Sequence, residues 1–290
     1  MASSGCWPRM KSCSNTEVRR CRPLLGTFVE ITATGLDEGQ IGRAIEAGFD
    51  AIERVQRLMS AHDPSSELSQ VNEEAFLRPV KVSHETFEVL KRGISLARES
   101  AGAFDFTIAP LLARWGLLPA HLRRSGNGDW RNVQMLAHRR VRFTKPLAID
   151  LGGIAKGFAV DEAIERLRRC GVSSALVNAG GDLRAFGPKS FIIRLRHPIQ
   201  QRLLTRTLRL RDAALATSSP CFTESRLRRC PISHLINPLD GSAVTGGISV
   251  TVRAPECWLA DALTKVVLTQ PILATQLLAK HTSEALVFTV

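Results

Sequence analysis

AIDLGGIAKGFAVDEAIERLRRCGVSSALVNAGGDLRAFG, residues 148–187, places a Gly-Gly turn on either side of one amphipathic helix. A short apolar strand is predicted to end at Asp150, and Gly152 and Gly153 let the backbone approach a ligand without interference from a Cβ. The helix is predicted to start near Lys156. Phe158, Val160, Ala163, Ile164 and Leu167 recur on one side at helical spacing, with Asp161, Glu162, Glu165, Arg166, Arg168 and Arg169 on the other. Gly171 stops it, and SSALVNAGG reads as a short buried strand entering a second tight turn, with Asp182 just beyond. Unpaired N–H groups and the helix dipole at such an N-terminus favour an anion, and a pyrophosphate suits it. The spacing matches neither GxGxxG nor GxxxxGK[ST], so the glycines alone fit a plain strand–helix–strand unit equally well.

Elements of both kinds extend outward from this stretch. Residues 1–21 read as a flexible N-terminal lead, and residues 22–290 as one domain. Leu24–Thr34 alternates as a strand. A helix is predicted from about Gln40 to Met59, with Ile41, Ile45, Phe49, Ile52, Val55 and Leu58 on one side. SAHDPSSELSQVN reads as a polar loop. Ser83–Ser100 reads as a helix with a capping serine, and Leu118–Arg131 as a loop. FIIRLR and RTLRLRDAALA alternate like antiparallel strands with arginines outside. A strand at Ile248–Arg253, a final helix starting near Trp258 and a last strand, ALVFTV, close the chain. This mixed order predicts an α+β fold rather than a doubly wound sheet.

The 290 residues are 44% hydrophobic and 23% charged, as in a globular protein able to bury an ordinary core. The net charge of +12 comes largely from arginine clusters around Arg139–Arg142, Arg194–Arg211 and Arg226–Arg229. These clusters fit a solvated basic face or attraction to an anionic ligand or acidic partner. No helix-turn-helix, zinc-finger or RNP pattern is present and tyrosine is absent, so nucleic acid is not an expected partner. The 7 cysteines show no CxxC spacing, which argues against zinc and a disulfide scaffold. The basic N-terminal lead lacks an apolar segment, and no window of about 20 apolar residues offers a membrane span. A cytoplasmic location is the expectation.

Further segments carry polar groups beside apolar structure. Asp105 lies in FDFTIAP, where an exposed turn aspartate is the ordinary reading. His234 precedes the Asn-Pro of SHLINPLDG and has the chemistry of an acid, base or phosphate ligand. Asp261 and Lys265 in CWLADALTKVV stand one helical turn apart, the spacing of an ordinary ion pair. In this order, RPLLGTFVEI, MSAHDPSSELSQVN, FDFTIAPLLARWG, IDLGGIAKGFAVD, NAGGDLRAFG, ATSS, SHLINPLDG and ADALTK resemble the bacterial FAD:protein FMN transferases, the ApbE-like flavin transferase family.

That resemblance implies a single T-fold-like α+β domain with mixed or antiparallel sheets and packed helices. It implies an enzyme that moves the FMN moiety of FAD onto a Thr or Ser hydroxyl of an acceptor protein, releases AMP and uses Mg2+. By position it assigns Leu25, His62, Phe104, Asp105, Asp150, Lys156, Thr217 and Ile236 to the FAD site, with Thr217 in a loop closing over the flavin. It gives Gly153 and Asp261 to the metal, and to the transfer step His234 and Asp261. Four departures stand out. Lys265 replaces the family threonine four residues after the metal aspartate, so that either Thr264 substitutes as a ligand or Lys265 touches the pyrophosphate. Asn237 replaces an aspartate, His62 a tyrosine, and Pro220-Cys221 a glycine and tyrosine. An FAD-binding protein without activity and an FAD hydrolase yielding FMN and AMP are the alternative readings.

Overall fold

Glu17–Leu24 (β1) and Thr27–Thr34 (β2) pair as a hairpin whose register runs from Glu17↔Thr34 to Leu24↔Thr27. Leu25 and Gly26 close it at φ 55° and 69°, the backbone that matches the twist of the flanking strands. The computed structural model describes residues 16–200, 202–220 and 235–289. β1 begins inside the stretch expected to be a flexible lead. Its exposed, arginine-rich sequence lacks an apolar stripe, and the ladder to β2 orders it.

Glu38–Met59 (α1) buries Ile41, Ile45, Phe49, Ile52 and Val55, and Asp37 caps it by accepting the Gln40 N–H at 2.9 Å. Glu67–Glu74 (α2) is a helix that begins inside the stretch expected to be a polar loop, residues 60–72, and runs past its end. Ser66 caps it and only Leu68, Ser69 and Val71 turn inward, so eight residues show too little periodicity to reveal it. Val80–Lys81 (β3) leads to His84–Glu99 (α3), capped by Ser83 as expected. Caps of this kind contribute about 1 kcal/mol each. Ala109–Arg114 (α4), Val133–Leu136 (β4) and Arg140–Phe143 (β5) follow, with 3-10 turns in the expected loop at Ala120–Arg124 and Trp130–Asn132. Then come Ala155–Arg169 (α5), Ser174–Ala179 (β6), Asp182–Phe186 (β7), Phe191–Arg196 (β8), Leu204–Leu210 (β9), Ala213–Ser218 (β10) and Ile248–Ala254 (β11). Cys257–Thr269 (α6), Pro271–Lys280 (α7) and Glu284–Thr289 (β12) complete the described chain. The single final helix expected from the sequence is two helices, α6 and α7, and Pro271 starts the second.

A seven-stranded antiparallel sheet runs in the order β1-β2-β6-β7-β10-β11-β12, beside a three-stranded sheet β3-β5-β4 and the β8-β9 pair. The period-two alternation of the strands assigns side chains to two layers. Leu183 and Ala185 of β7 and Ala213 and Leu215 of β10 pack with Phe191, Ile193 and Leu210 of the β8-β9 pair. The intervening residues face the helices: Arg184 reaches Asp161 of α5, and Ala214 and Ala216 join the large core with α1, α5 and α6. The α+β architecture with antiparallel sheets and packed helices is the one expected from the sequence. Among the described residues, no helix is long and apolar enough to cross a membrane, and Cys21, Cys170 and Cys257 are free thiols.

Candidate functional site

One end of the seven-stranded sheet gathers the turns and helix termini that carry the motif residues. The β6-β7 hairpin closes through Gly180 and Gly181, at φ +66° and +109°, so β7 starts at Asp182 with its side chain on the helix side. There the Lys156 ammonium, one residue into α5, forms an ion pair with Asp182 Oδ2. Asp182 is 1% exposed.

The approach of α6 to α5 supplies the second half of the cluster. A Cβ on Gly157 would lie 2.4 Å from the Cys257 carbonyl oxygen and 2.7 Å from Trp258 Cα, so the two helix starts cross against bare backbone. That proximity lets the Gly157 N–H donate to Asp261 Oδ2 at 3.1 Å. Helical spacing puts Asp161 on the face of α5 opposite the apolar residues, among charged side chains, yet the structure buries it. Asp161 is 4% exposed and accepts the Cys257 and Trp258 N–H groups at 2.9 Å each, satisfying the start of α6, while Arg184 donates to it at 2.8 Å. Burial lifts its carboxyl to about 6, against the pull of Arg184 and the two amides.

Asp261, fully buried on the next turn of α6, is bonded at both carboxylate oxygens: Oδ2 accepts Gly157, and Oδ1 pairs with the Lys265 ammonium, which also donates to the Asp261 carbonyl at 2.8 Å. Lys156, Asp182, Asp261 and Lys265 therefore form one electrostatic unit. Burial pulls the Lys156 ammonium down, but Asp182 and Asp261 outweigh it and hold it above the ordinary lysine value. Burial, and then the Asp261 charge, raise Asp182 despite both lysines. Burial and the surrounding carboxylates also keep the Cys257 thiol protonated.

A third wall comes from the segments before α5. The Asn72 side chain of α2 accepts the Ile149 N–H at 2.8 Å and donates to the Ile149 carbonyl at 3.0 Å, while the Asp150 N–H donates to the Phe106 carbonyl at 2.8 Å. Asp150 is thus fixed beside the Phe104–Thr107 segment. It accepts the Gly152 N–H at 3.2 Å, and burial raises its pKa, countered by that amide and by the charge of His62. Asp105 accepts the backbone and hydroxyl of Thr107, each at 2.7 Å, and burial raises it also. A Cβ on Gly153 would meet Phe104 at 3.6 Å and Lys265 Cε at 3.8 Å, which places the stem of Lys265 along the Gly152-Gly153 turn.

The expected residues thus divide. Phe104, Asp150, Gly153, Lys156 and Asp261 converge with Lys265, and Asp105 and His62 flank them. Leu25 lies in the β1-β2 turn at the same end of the sheet, its N–H donating to Gln56 at 2.5 Å. Thr217 is part of β10 rather than of a closing loop. Its hydroxyl shares a 2.9 Å hydrogen bond with Thr251, while the neighbouring Ser218 hydroxyl meets Thr264 of α6 at 2.7 Å. Thr264 is fully buried and donates to the Asp261 carbonyl at 2.6 Å, so its oxygen already serves two contacts within the fold. Ile236 is buried in a bridge to Ala243, and Asn237 donates to Asp240 at 3.0 Å in the same turn. His234 and Cys221 lie outside the described residues. Sequence reasoning assigned no role to Asp182, Gly157 or Ser218. The only signals available were the position of Asp182 after a Gly-Gly pair and a glycine in the first turn of a helix.

Among the described residues, no group of three or more His, Cys, Asp or Glu side chains is arranged to hold a metal ion. Magnesium takes oxygen ligands in near-ideal octahedral geometry. Here the Asp261 carboxylate is engaged by an ammonium and an amide, and the Thr264 hydroxyl by Ser218 and its own helix, so these donors do not suit that ion.

The chain belongs to the ApbE family, which it matches over residues 25–288. It is 29% identical over 266 residues to a Vibrio cholerae protein named FAD:protein FMN transferase, the match covering 85% of this chain and 79% of that one. A Haemophilus influenzae protein of the same name is 27% identical over 257 residues, covering 79% of this chain and 74% of the relative. The solved structure of the Thermotoga maritima ApbE protein superposes with a TM-score of 0.82 at 26% identity and covers 94% of both chains.

Proposed function

We propose that this chain is an FAD:protein FMN transferase that takes the FMN moiety from FAD, passes it to the hydroxyl of a Thr or Ser on an acceptor protein and releases AMP. Family membership over nearly the whole chain supports the overall reaction. The observation that carries the reading to particular residues is the convergence of Lys156, Asp182, Asp261 and Lys265 on the Gly152-Gly153 turn at the start of α5. The proposed FAD pyrophosphate lies at this turn. The Gly152, Ile154, Ala155 and Gly157 N–H groups already have acceptors within the fold, so the two ammonium groups and the helix dipole are what offset charge on its non-bridging oxygens.

In the transfer, the acceptor oxygen bonds to the FMN phosphorus as the bond from that phosphorus to the bridging oxygen breaks. The bridging oxygen leaves with AMP, and the hydroxyl proton passes to a base, for which His234 is the candidate. Asp150 and Asp105, with Phe104, His62, Leu25 and Ile236, are assigned to the FAD pocket. The resemblance also implies magnesium; because the donors present do not suit it, no step here runs through a metal.

The test is release of AMP from FAD by the purified protein with and without a Thr-containing acceptor peptide. The expected result is one AMP per flavin covalently attached to peptide, read by chromatography and mass. FAD binding with no AMP under either condition supports a binding protein instead, and AMP at equal rates without peptide supports a hydrolase.

A further inference from the structure

We infer that Lys265 is a built-in cation: its ammonium takes the place that a divalent metal would hold between Asp261 and the substrate pyrophosphate, so that this chain handles FAD without magnesium. The inference deepens the proposed function and depends on it for the identity of the pyrophosphate. Four observations carry it. First, Lys265 stands four residues after Asp261 on α6, and its ammonium is anchored by both the Asp261 carboxylate and the Asp261 carbonyl. Second, its stem runs along the Gly152-Gly153 turn, Cε lying 3.8 Å from where a Gly153 Cβ would be, so the charge is delivered to the turn at which the pyrophosphate is proposed to lie.

Third, the charges of the cluster already balance. Asp182 and Asp261 face Lys156 and Lys265, and each lysine has its own carboxylate. A divalent ion at Asp261 would have to displace an ammonium from its ion pair or sit against it. Fourth, the neighbouring oxygen that might complete a metal shell, Thr264 Oγ1, is fully buried between Ser218 and the Asp261 carbonyl. The Lys265 ammonium has three donors and two acceptors in the fold, the Asp261 carboxylate and carbonyl, which leaves one donor for a ligand, and its side chain is 20% exposed.

The experiment titrates wild type and Lys265→Thr with manganese, read by electron paramagnetic resonance, and with FAD, read by flavin fluorescence, in excess EDTA or in excess magnesium. AMP release is followed in the same samples. If Lys265 replaces the metal, wild type binds no manganese at the site with or without FAD. Its FAD affinity and AMP release then change less than about twofold between EDTA and magnesium, below the coupling of roughly fivefold or more expected when two ligands share a site. Lys265→Thr weakens FAD binding in EDTA, and magnesium restores it. One manganese per wild-type chain that is lost in Asp261→Asn, or wild-type FAD affinity that rises tenfold or so with magnesium, overturns the inference. Absence of AMP in every sample counts against the transferase reading alone, because the manganese and FAD titrations still decide the role of Lys265.

Discussion

Gly152-Gly153 and Gly180-Gly181 are the same dipeptide on either side of α5, yet the backbone treats them differently. Gly180 and Gly181 sit at φ +66° and +109° in the β6-β7 turn, and a Cβ on Gly180 would lie 2.5 Å from Thr27 Oγ1. Neither Gly152 nor Gly153 takes a left-handed backbone, and around Gly153 a Cβ would find only ordinary contacts, at 3.6 Å and 3.8 Å. The first turn of α5 does contain a glycine that the fold requires, but it is Gly157, pressed against the start of α6. One pair is therefore dictated by the turn that aims Asp182 at Lys156. The other is free of that backbone demand, although a Cβ on Gly152 would stand 3.0 Å from Asp150 Oδ2. The same dipeptide is thus a folding constraint in one place and free of that constraint in the other, and only the φ angles and neighbouring atoms separate the two.

Substitutions at these positions break or sharpen the contrast. Gly157→Ala is expected to be the most damaging, about 3 kcal/mol in urea unfolding, because its methyl overlaps backbone that cannot rotate away. A loss below about 1 kcal/mol would mean that the α5-α6 crossing is looser than described. Gly180→Ala is expected to cost about 2 kcal/mol, partly from backbone strain and partly from Thr27. Combining it with Thr27→Ala separates the two contributions: the double variant recovers about 1 kcal/mol if the contact matters, and nothing if φ alone sets the cost. Gly153→Ala is expected to change unfolding by no more than about 0.5 kcal/mol. It is expected to weaken FAD binding by about tenfold, read by flavin fluorescence. Equal losses of stability at Gly153 and Gly180 would erase the distinction.

The same contrast explains what could be read from the chain alone. α5, its two flanking turns and the start of α6 were legible because helical periodicity and glycine punctuation are local signals. So were the arginines of the β8-β9 pair, which alternate outward along Phe191–Arg196. The burial of Asp161 was not legible because an acidic residue among other charges looks solvated; its partners, Arg184 and the amides of Cys257 and Trp258, are distant in sequence. Thr217 and Ser218 present a similar case. Adjacent strand residues point to opposite faces, and which of them meets α6 is fixed by the register of β10 against β7 and β11. The Asp261–Lys265 pair was visible as an i,i+4 spacing, but its meaning came only when Gly153 and Asp182 were found beside it.

The most direct measurement for the whole account is a crystal structure of the FAD complex. Pyrophosphate oxygens are expected within hydrogen-bond distance of the Lys265 or Lys156 ammonium, over the Gly152-Gly153 turn. Pyrophosphate lying elsewhere, for example in the groove on the opposite face of the sheet lined by Arg206, Arg209 and Arg253, would contradict it.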